Sequence, residues 1–386
     1  MLRQSLNAGQ SLAGIMCPSP PPTIDMAKGA RSSKPDAAPA IASAPRAGAA
    51  TLKDVADFAC VSKATVSRFV NNPQIVSPAV RERIQVAIDH LGWVPHAAAR
   101  ALATQRTGTI GAVVPTLANE HFASAIQTLQ DELENEGYTL LLACSEYELD
   151  REYRQVRKML ERGVDAVVMV GEGHHPDLYP LLEQRRIPCV STFTYPPRHG
   201  TVCVGVDNYR AFYDCTHYLL DLGHRRIAMI AQNADTNDRA AARRMGVRDA
   251  LAERGIAIHP AHEVEGYWSV KEGRQLLRRI LEAPVARPTA IVCGNGSFAM
   301  GAMLEAMAIG IDVPGELSLI GFDDFELMAE LPIPITTVRV PSAGIGKQAA
   351  RLILAQLDGQ AGVESVGWAA ELMIRASCAP PRGGSN

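Results

Sequence analysis

Two groups of residues in this chain have types and spacings that could do chemistry. The first is Ser62, Lys63, Ala64, Thr65, Ser67 and Arg68, within TLKDVADFACVSKATVSRFVNN (51–72). With Ser62 starting a helix, they lie at and just after its N-terminus. Hydroxyl, ammonium and guanidinium donors then sit where a helix entering the major groove meets base edges. The second group follows a series of β-type runs: Asn119, His121 and Phe122 after TIGAVV, Glu172 after DAVVMV, Asn295 after AIVC, and Asp323 and Asp324 after LSLIGF. Ligands of open α/β sheets bind beyond the carboxyl ends of the strands. Amides and carboxylates interleaved with aromatic rings suit a sugar, whose hydroxyls need hydrogen bonds and whose ring faces pack on Phe or Trp.

Both groups need elements to hold them. Leu52, Val55, Ala56 and Ala59 follow the i, i+3, i+4, i+7 pattern of a short helix, with Asp54 in its first turn. Cys60-Val61 breaks it, and Ser62 caps a second helix with Val66, Phe69 and Val70 on its buried side. Asn71-Asn72-Pro73 ends that helix. A third, from about Ser77 to Leu91, is capped by Ser-Pro with proline at the first helical position, carries Val80, Ile84, Ala87, Ile88 and Leu91 as its stripe, and closes at Gly92. Two short helices joined by a tight turn and braced by a third make a helix-turn-helix. From Thr109, β-branched runs alternate with amphipathic stretches, from TIGAVV through RIAMIA to LSLIGF. This alternation means parallel sheets covered by helices, and about ten strands are too many for one small sheet. The expected fold is therefore α/β, a helix-turn-helix headpiece followed by two doubly wound parallel-sheet subdomains.

Composition bounds the function. Net charge is −3, yet residues 1–106 carry 12 Lys+Arg against 6 Asp+Glu while the rest carry 26 against 35, so the cationic end is the N-terminal one. Residues 1–50 are rich in Ala, Pro, Ser and Gly and read as a disordered tail, as does 381–386. No run approaches the ~20 apolar residues of a membrane span, and no signal peptide is visible, so a cytoplasmic location is expected. Eight scattered cysteines without a CxxC pair argue against a disulfide scaffold or structural zinc. GNGSFAMG (294–301) imitates a dinucleotide loop, but its spacing is GxGxxxxG. Glu172, His174, His175 and Asp177 imitate a metal site, but adjacent histidines on an extended segment point opposite ways. We expect neither metal nor cofactor.

The chain resembles the lactose-repressor (LacI/GalR) family over roughly 51–380. The resemblance rests on LKDVADFACVSKATVSRFVN, VPHAAARALA (94–103), CGNGSFAMGAM (293–303) and LIGFDD (319–324). Within the family, TVSRF, Asn72-Pro73 and VPTLANEHFA (114–123) look most like gluconate-type repressors. The resemblance implies a DNA-binding repressor, not an enzyme, acting as a homodimer on a pseudo-palindromic operator under a small sugar or sugar acid. It puts Lys63, Ala64 and Arg68 at the major groove, and Ser62, Thr65, Ser67, Asn71 and Ser77 at backbone-positioning sites, with Thr51 and Leu52 also at the DNA. It makes 51–94 the DNA-binding domain and 95–106 a hinge helix, with Leu102 wedged into the minor groove and Ala99 packed against it. Residues 107–380 become the effector-binding and dimerisation domain. Effector contacts fall by resemblance on Phe122, Arg243, Trp268, Asn295 and Asp323; His121 and Glu172 join them from their strand ends. Family members often carry Asp where this chain has Gly296. No leucine heptad follows LMIRASCAPP, so a dimer is expected rather than a tetramer. The rival readings are a sugar-metabolising enzyme of doubly wound fold and an extracytoplasmic sugar-binding protein.

Overall fold

The computed structural model describes residues 50–94 and 106–382, divided into two compact units, one ending at Trp93 and one beginning at Val94. The expectations for the N-terminal tail (1–49), for the hinge residues 95–105 including Ala99 and Leu102, and for 383–386 lie outside the described residues.

The first unit is three helices. Helix α1 (Leu52–Phe58) begins in a capping box: the Thr51 hydroxyl accepts from the Asp54 amide, and the Asp54 carboxylate accepts from the Thr51 amide at 2.8 Å. Helix α2 (Lys63–Asn71) is capped by Ser62, whose Oγ accepts from the Thr65 amide at 3.1 Å. A 3₁₀ turn, Pro73–Ile75, leads to α3 (Pro78–Leu91), which Gly92 closes in the left-handed conformation at φ 57°. Ser77 stands at the start of α3, but its hydroxyl makes no capping bond, so proline at the first position does the initiating. Val55, Ala56, Ala59, Val66, Ile84, Ala87 and Trp93 form the small core.

The second unit holds two six-stranded sheets. The first contains β1 (Thr109–Val114), β2 (Thr139–Cys144), β3 (Ala166–Val170), β4 (Cys189–Thr192), β5 (Val202–Val206) and β11 (Val366–Trp368), in the order β11-β5-β4-β3-β1-β2. The second contains β6 (Ile227–Gln232), β7 (Glu263–Gly266), β8 (Ala290–Cys293), β9 (Ser318–Asp323), β10 (Thr336–Arg339) and β12 (Glu371–Met373), in the order β12-β10-β9-β8-β6-β7. All pairings are parallel except β10 with β12. Parallel strands need crossover connections, helical here except between β4 and β5, and the helices cover the sheets: α4 (Glu120–Asn135), α5 (Leu149–Glu161) and α6 (Leu178–Arg185) in the first lobe, α7 (Asn208–Asp221), α8 (Asp238–Ala252), α9 (Val270–Leu281), α10 (Gly296–Ala308) and the short α11 (Glu326–Glu330) in the second. One apolar core, including Ile110, Phe212, Ile227 and Ile320, continues across both lobes. Each sheet has a separate core on its other face.

The two lobes are not the two halves of the sequence. After β10 the chain returns to the first lobe as α12 (Ser342–Leu357), which packs on α4, β3, β4 and β5, adds β11 there, and ends with β12 on the second sheet. Three connections, near 207, 340 and 370, therefore join the lobes. The ordered chain also runs past 380, because Arg382 pairs with Asp312 at 2.5 Å.

Candidate functional site

In the first unit, α2 turns Val66 into the core and leaves Lys63, Ala64 and Arg68 in water, with Thr65 and Ser67 half-buried. Ala64 and Arg68, four residues apart, share a face, as do Ser67 and Asn71, whose amide donates to the Ser67 Oγ at 3.4 Å. Ser62 and Thr65 join through their hydroxyls at 2.9 Å. Among the described residues neither Lys63 nor Arg68 has an ion-pair partner. The folded headpiece itself is nearly neutral, with five Lys/Arg against four Asp/Glu over 51–94. Most of the basic excess of the N-terminal region thus lies in the segments on either side, and the α2 face presents placed donors rather than bulk charge.

In the second unit a cleft opens at the carboxyl ends of the strands of both sheets. The space, counted with its mouth, is about 440 Å³, an upper bound that limits any occupant to a small molecule. Six of the seven expected effector residues line it: His121, Phe122, Arg243, Trp268, Asn295 and Asp323. Asn119, which caps α4 by accepting from the His121 amide at 2.9 Å, is there too. Glu172 is not. Its carboxylate is buried and accepts from the backbone amides of Arg198 (3.0 Å) and His199 (3.4 Å), while its own amide donates to Asp238 at 2.9 Å. Glu172 staples the loop after β3 to the start of α8, across the two lobes. Asp324 also turns away, held by Arg339 and Arg375 at 2.7 Å each.

The cleft carries more polar groups than strand ends 1, 3, 8 and 9 alone supply. Tyr147, Phe193, Asn208, Gln232 and Arg239 line it as well, from the ends of β2, β4, β5 and β6 and from α8. The same strand-end rule, applied to every strand, would have found the first four. Arg239 needed the structure, since its signal in the sequence is only an arginine one turn before Arg243.

The electrostatics are those of an unsatisfied cationic pocket. Arg243 is 6% exposed, donates from Nε to the Arg239 carbonyl at 3.2 Å, and lies over the Phe322 ring at 4.6 Å. Burial pushes its guanidinium down to about 10, with the Asp323 carboxylate pulling the other way, so it stays charged at neutral pH. Among the described residues no carboxylate lies within ion-pair distance of it. Asp323 holds a left-handed backbone at φ 82°, accepts from the Gly296 amide at 3.2 Å and stands 3.7 Å from the His121 Nε2. Such strain in a non-glycine residue is held by the surrounding structure and concentrates at ligand sites. Burial lowers the His121 pKa, Asp323 opposing, and leaves the ring neutral at pH 7. Among the described residues two buried donors in the cleft have no partner, Asn295 Nδ2 and Trp268 Nε1.

Gly296 also has a physical reason. A Cβ there would stand 2.6 Å from the Phe325 ring and 2.9 Å from the Phe322 carbonyl, so an aspartate cannot be accommodated unless Phe325 moves. Nor is GNGSFAMG a phosphate loop, because its backbone donors are used internally: the Gly296 amide by Asp323, the Phe298 amide by Asn295 at 2.9 Å. His174 and His175 do diverge, His174 inward onto Glu152 at 2.5 Å and His175 onto the Tyr153 ring at 4.6 Å. No set of three metal-type ligands is gathered among the described residues, and no described helix is long and apolar enough to cross a membrane.

Known proteins share this arrangement. Residues 51–96 match the bacterial regulatory proteins of the lacI family, and residues 216–378 match the periplasmic binding protein-like domain. The chain is 32% identical to the HTH-type transcriptional repressor CytR of Escherichia coli (strain K12), over 85% of this chain and 96% of that one. Among solved structures, a LacI-family transcriptional regulator from Silicibacter pomeroyi superimposes with a TM-score of 0.77 at 27% identity, covering 86% of this chain and 99% of that one. Transcription regulator GntR from Chromobacterium violaceum gives 0.65 at 30% identity, over 70% and 98%. The lac repressor dimer bound to operator and the anti-inducer ONPF gives 0.76 over 86% and 100%; at 24% identity that likeness shows the fold. With a headpiece that presents unpaired donors, a two-lobed cleft behind it in sequence, and relatives that are repressors rather than enzymes, this chain belongs to the LacI family of DNA-binding transcriptional repressors.

Proposed function

We propose that this repressor binds a pseudo-palindromic operator as a homodimer in the cytoplasm, and that a small sugar or sugar acid in the cleft controls it. The domain division is 51–94 for DNA binding, 95–106 for the hinge, and 107–380 for effector binding and dimerisation. Lys63, Ala64 and Arg68 read bases in the major groove, while Thr51, Leu52, Ser62, Thr65, Ser67, Asn71 and Ser77 set the headpiece on the phosphate backbone. Ala99 and Leu102 belong to a hinge that inserts Leu102 into the minor groove. The operator-bound dimer named among the solved structures supports this reading by its fold.

One observation carries the effector: the charged, buried Arg243 without a carboxylate, beside the unpaired Asn295 and Trp268 donors. A carboxylate could take the guanidinium bidentately, and hydroxyls could take the amide and Asp323. Gluconate is therefore the first ligand to try, although likeness does not choose it, since relatives with differing names are similarly close. Effector bound between lobes that the chain joins three times alters their relative rotation, and the coupling to DNA is reciprocal by linkage. The test is a thermal-shift screen of sugar acids and neutral sugars. A ligand at a hundredfold excess over its Kd adds ~2.7 kcal/mol of stability, and Arg243→Ala should remove the shift without unfolding the protein. A hit that shifts the parent, Arg243→Ala and Asp323→Asn equally would place the ligand elsewhere.

A further inference from the structure

The Gly171–Glu172 peptide unit, in the loop after β3 of the first lobe, is gripped from both sides. Its carbonyl accepts from His174 Nε2 at 3.1 Å, and His174 Nδ1 in turn meets the buried Glu152 carboxylate of α5 at 2.5 Å. Its N–H crosses to the second lobe and donates to Asp238 Oδ2, at the start of α8, at 2.9 Å. Asp238 Oδ1 stands 3.5 Å from Arg239 Nη1, and Arg239 lines the cleft. A line of polar contacts thus runs from α5 through a single peptide plane to the cleft wall. We propose that it is a latch between the lobes, in which Glu152, His174 and Asp238 are positioning residues that set how readily the lobes turn against each other. This deepens the reading in which lobe rotation couples effector to DNA, and rests on it for its consequence at the operator.

The place of this contact gives it leverage. The three covalent connections run from β5, β10 and β11, whereas β3 lies two strands in from β5 and β6, which leads to α8, lies three strands in from β10. A contact beside the connections could not resist rotation about them; one set away from them can. The approach is also as close as the backbone allows. Gly171 is left-handed at φ 81°, and a Cβ there would stand 2.1 Å from Arg239 Nη1 and 2.5 Å from Asp238 Oδ1, so a side chain at this position would push the lobes apart. The loop itself is fixed to the first lobe twice, by His174 on Glu152 and by the Glu172 carboxylate on the Arg198 and His199 amides, which leaves the Glu172 N–H to reach across. Asp238 is a charged acceptor for it. Burial, the largest influence on its carboxyl, works against ionisation, but Arg239, the Glu172 amide and His174 together outweigh burial and hold the pKa below the ordinary value. Hydrogen bonds to an ionised acceptor are the strong ones, and a satisfied buried chain of them stiffens what it joins.

The test is amide hydrogen exchange at single-residue resolution on the full chain, without effector, for the parent, Asp238→Ala and His174→Phe. The Glu172 amide belongs to no helix or strand, so its protection reports the latch. It should exchange about a hundredfold more slowly than an unstructured amide in the parent, and at least tenfold faster than the parent in both variants, while the amides of β3 keep their protection. Operator affinity of both variants should move at least threefold in the same direction, with scrambled-duplex affinity unchanged. If His174→Phe loses the β3 protection and so fails to fold, Glu152→Gln, which leaves the ring in place and removes the charge that holds it, replaces it with the same expectations. An unprotected Glu172 amide in the parent refutes the latch. So does a Glu172 rate that Asp238→Ala raises and the His174 or Glu152 variant does not, because the two grips are then not joined through the peptide. Faster exchange with unchanged operator affinity refutes the role assigned to the contact. Failure of every sugar and sugar acid to bind would overturn the effector reading and leave these exchange rates as predicted, so the two failures are told apart.

Discussion

The headpiece and the cleft both present unsatisfied donors, but in opposite surroundings. Lys63 and Arg68 stand unpaired in water, where an unpaired cation costs almost nothing, and all the surface they belong to comes from some twenty consecutive residues. In the cleft Arg243 lacks a carboxylate and the Asn295 and Trp268 donors lack a partner among the described residues, in a buried space where a missing partner costs about 1–3 kcal/mol, on three separate segments of the second lobe. The lesson is that an exposed face of donors can be carried by a minimal fold, whereas a cleft of buried, unpaired donors needs a large core to hold them in a place they would otherwise avoid. The headpiece has seven residues in its buried core; the two-lobed unit has three separate cores.

That contrast can be broken most forcefully at Ile84, which has no exposed surface and sits at the centre of the headpiece core. Ile84→Ala should cost about 2–5 kcal/mol, enough to unfold so small a unit, while the sensor unfolds as before. Calorimetry should then lose operator binding but keep the main transition; a lowered main transition would show that the units are not independent. Next in size is Arg68→Ala. A guanidinium gripping a guanine edge discriminates by ~1–3 kcal/mol, so the ratio of operator to scrambled-duplex affinity should collapse at fixed salt while non-specific binding persists. An unchanged ratio would move recognition off α2.

Gly296→Ala sharpens the other side. The added methyl meets Phe325 and the Phe322 carbonyl, so we expect about 1–3 kcal/mol of destabilisation together with weaker effector binding, since the Asp323 hydrogen bond runs through the same amide. Equal or greater stability would mean that Phe325 swings aside freely. The smallest effect is a pH slope. Folding depresses the His121 pKa below its unfolded ~6.5, so the native state binds fewer protons than the unfolded one just below that pH. The sensor's stability is therefore complete above about pH 6.5 and falls on acidification from there, by up to ~1.4 kcal/mol per pH unit from this ring. The midpoint of thermal unfolding between pH 7.5 and 5.5 should show it, and His121→Gln should reduce it, leaving the part that His224 and His262, also lowered by burial, contribute.

Much of this was legible in the sequence, and the exceptions have physical causes. The headpiece was readable because caps and stripe are local: Ser62 accepts the amide that its position predicted, while the capping box at Thr51 is what the structure adds. The strands were readable as β-branched runs, and the residues just past them led to His121, Phe122, Asn295 and Asp323 in the cleft, whereas Arg243 and Trp268 came from the family resemblance. Helix α12 carries a legible stripe, Ile345, Ala349, Leu352 and Ile353 at i, i+4, i+7 and i+8, but it starts at Pro341 without a side-chain cap, and no local pattern tells that it returns to the first lobe. The return of β11 to the first sheet is a non-local pairing that no local pattern encodes. Glu172 follows its strand as a ligand residue would, yet spends its carboxylate on two backbone amides, a distinction made only by where residues 198 and 199 arrive.

The separation of the two functions can be measured in one experiment. Operator affinity, scrambled-duplex affinity and effector-induced thermal shift should be determined for the parent, Arg68→Ala and Arg243→Ala under one set of conditions. Arg68→Ala should lose operator discrimination and keep the full thermal shift; Arg243→Ala should lose the shift and keep discrimination while no longer responding to effector. A single substitution that removed both, with the protein still folded, would contradict the division of labour between an exposed, unpaired DNA face and a buried, unpaired ligand cleft.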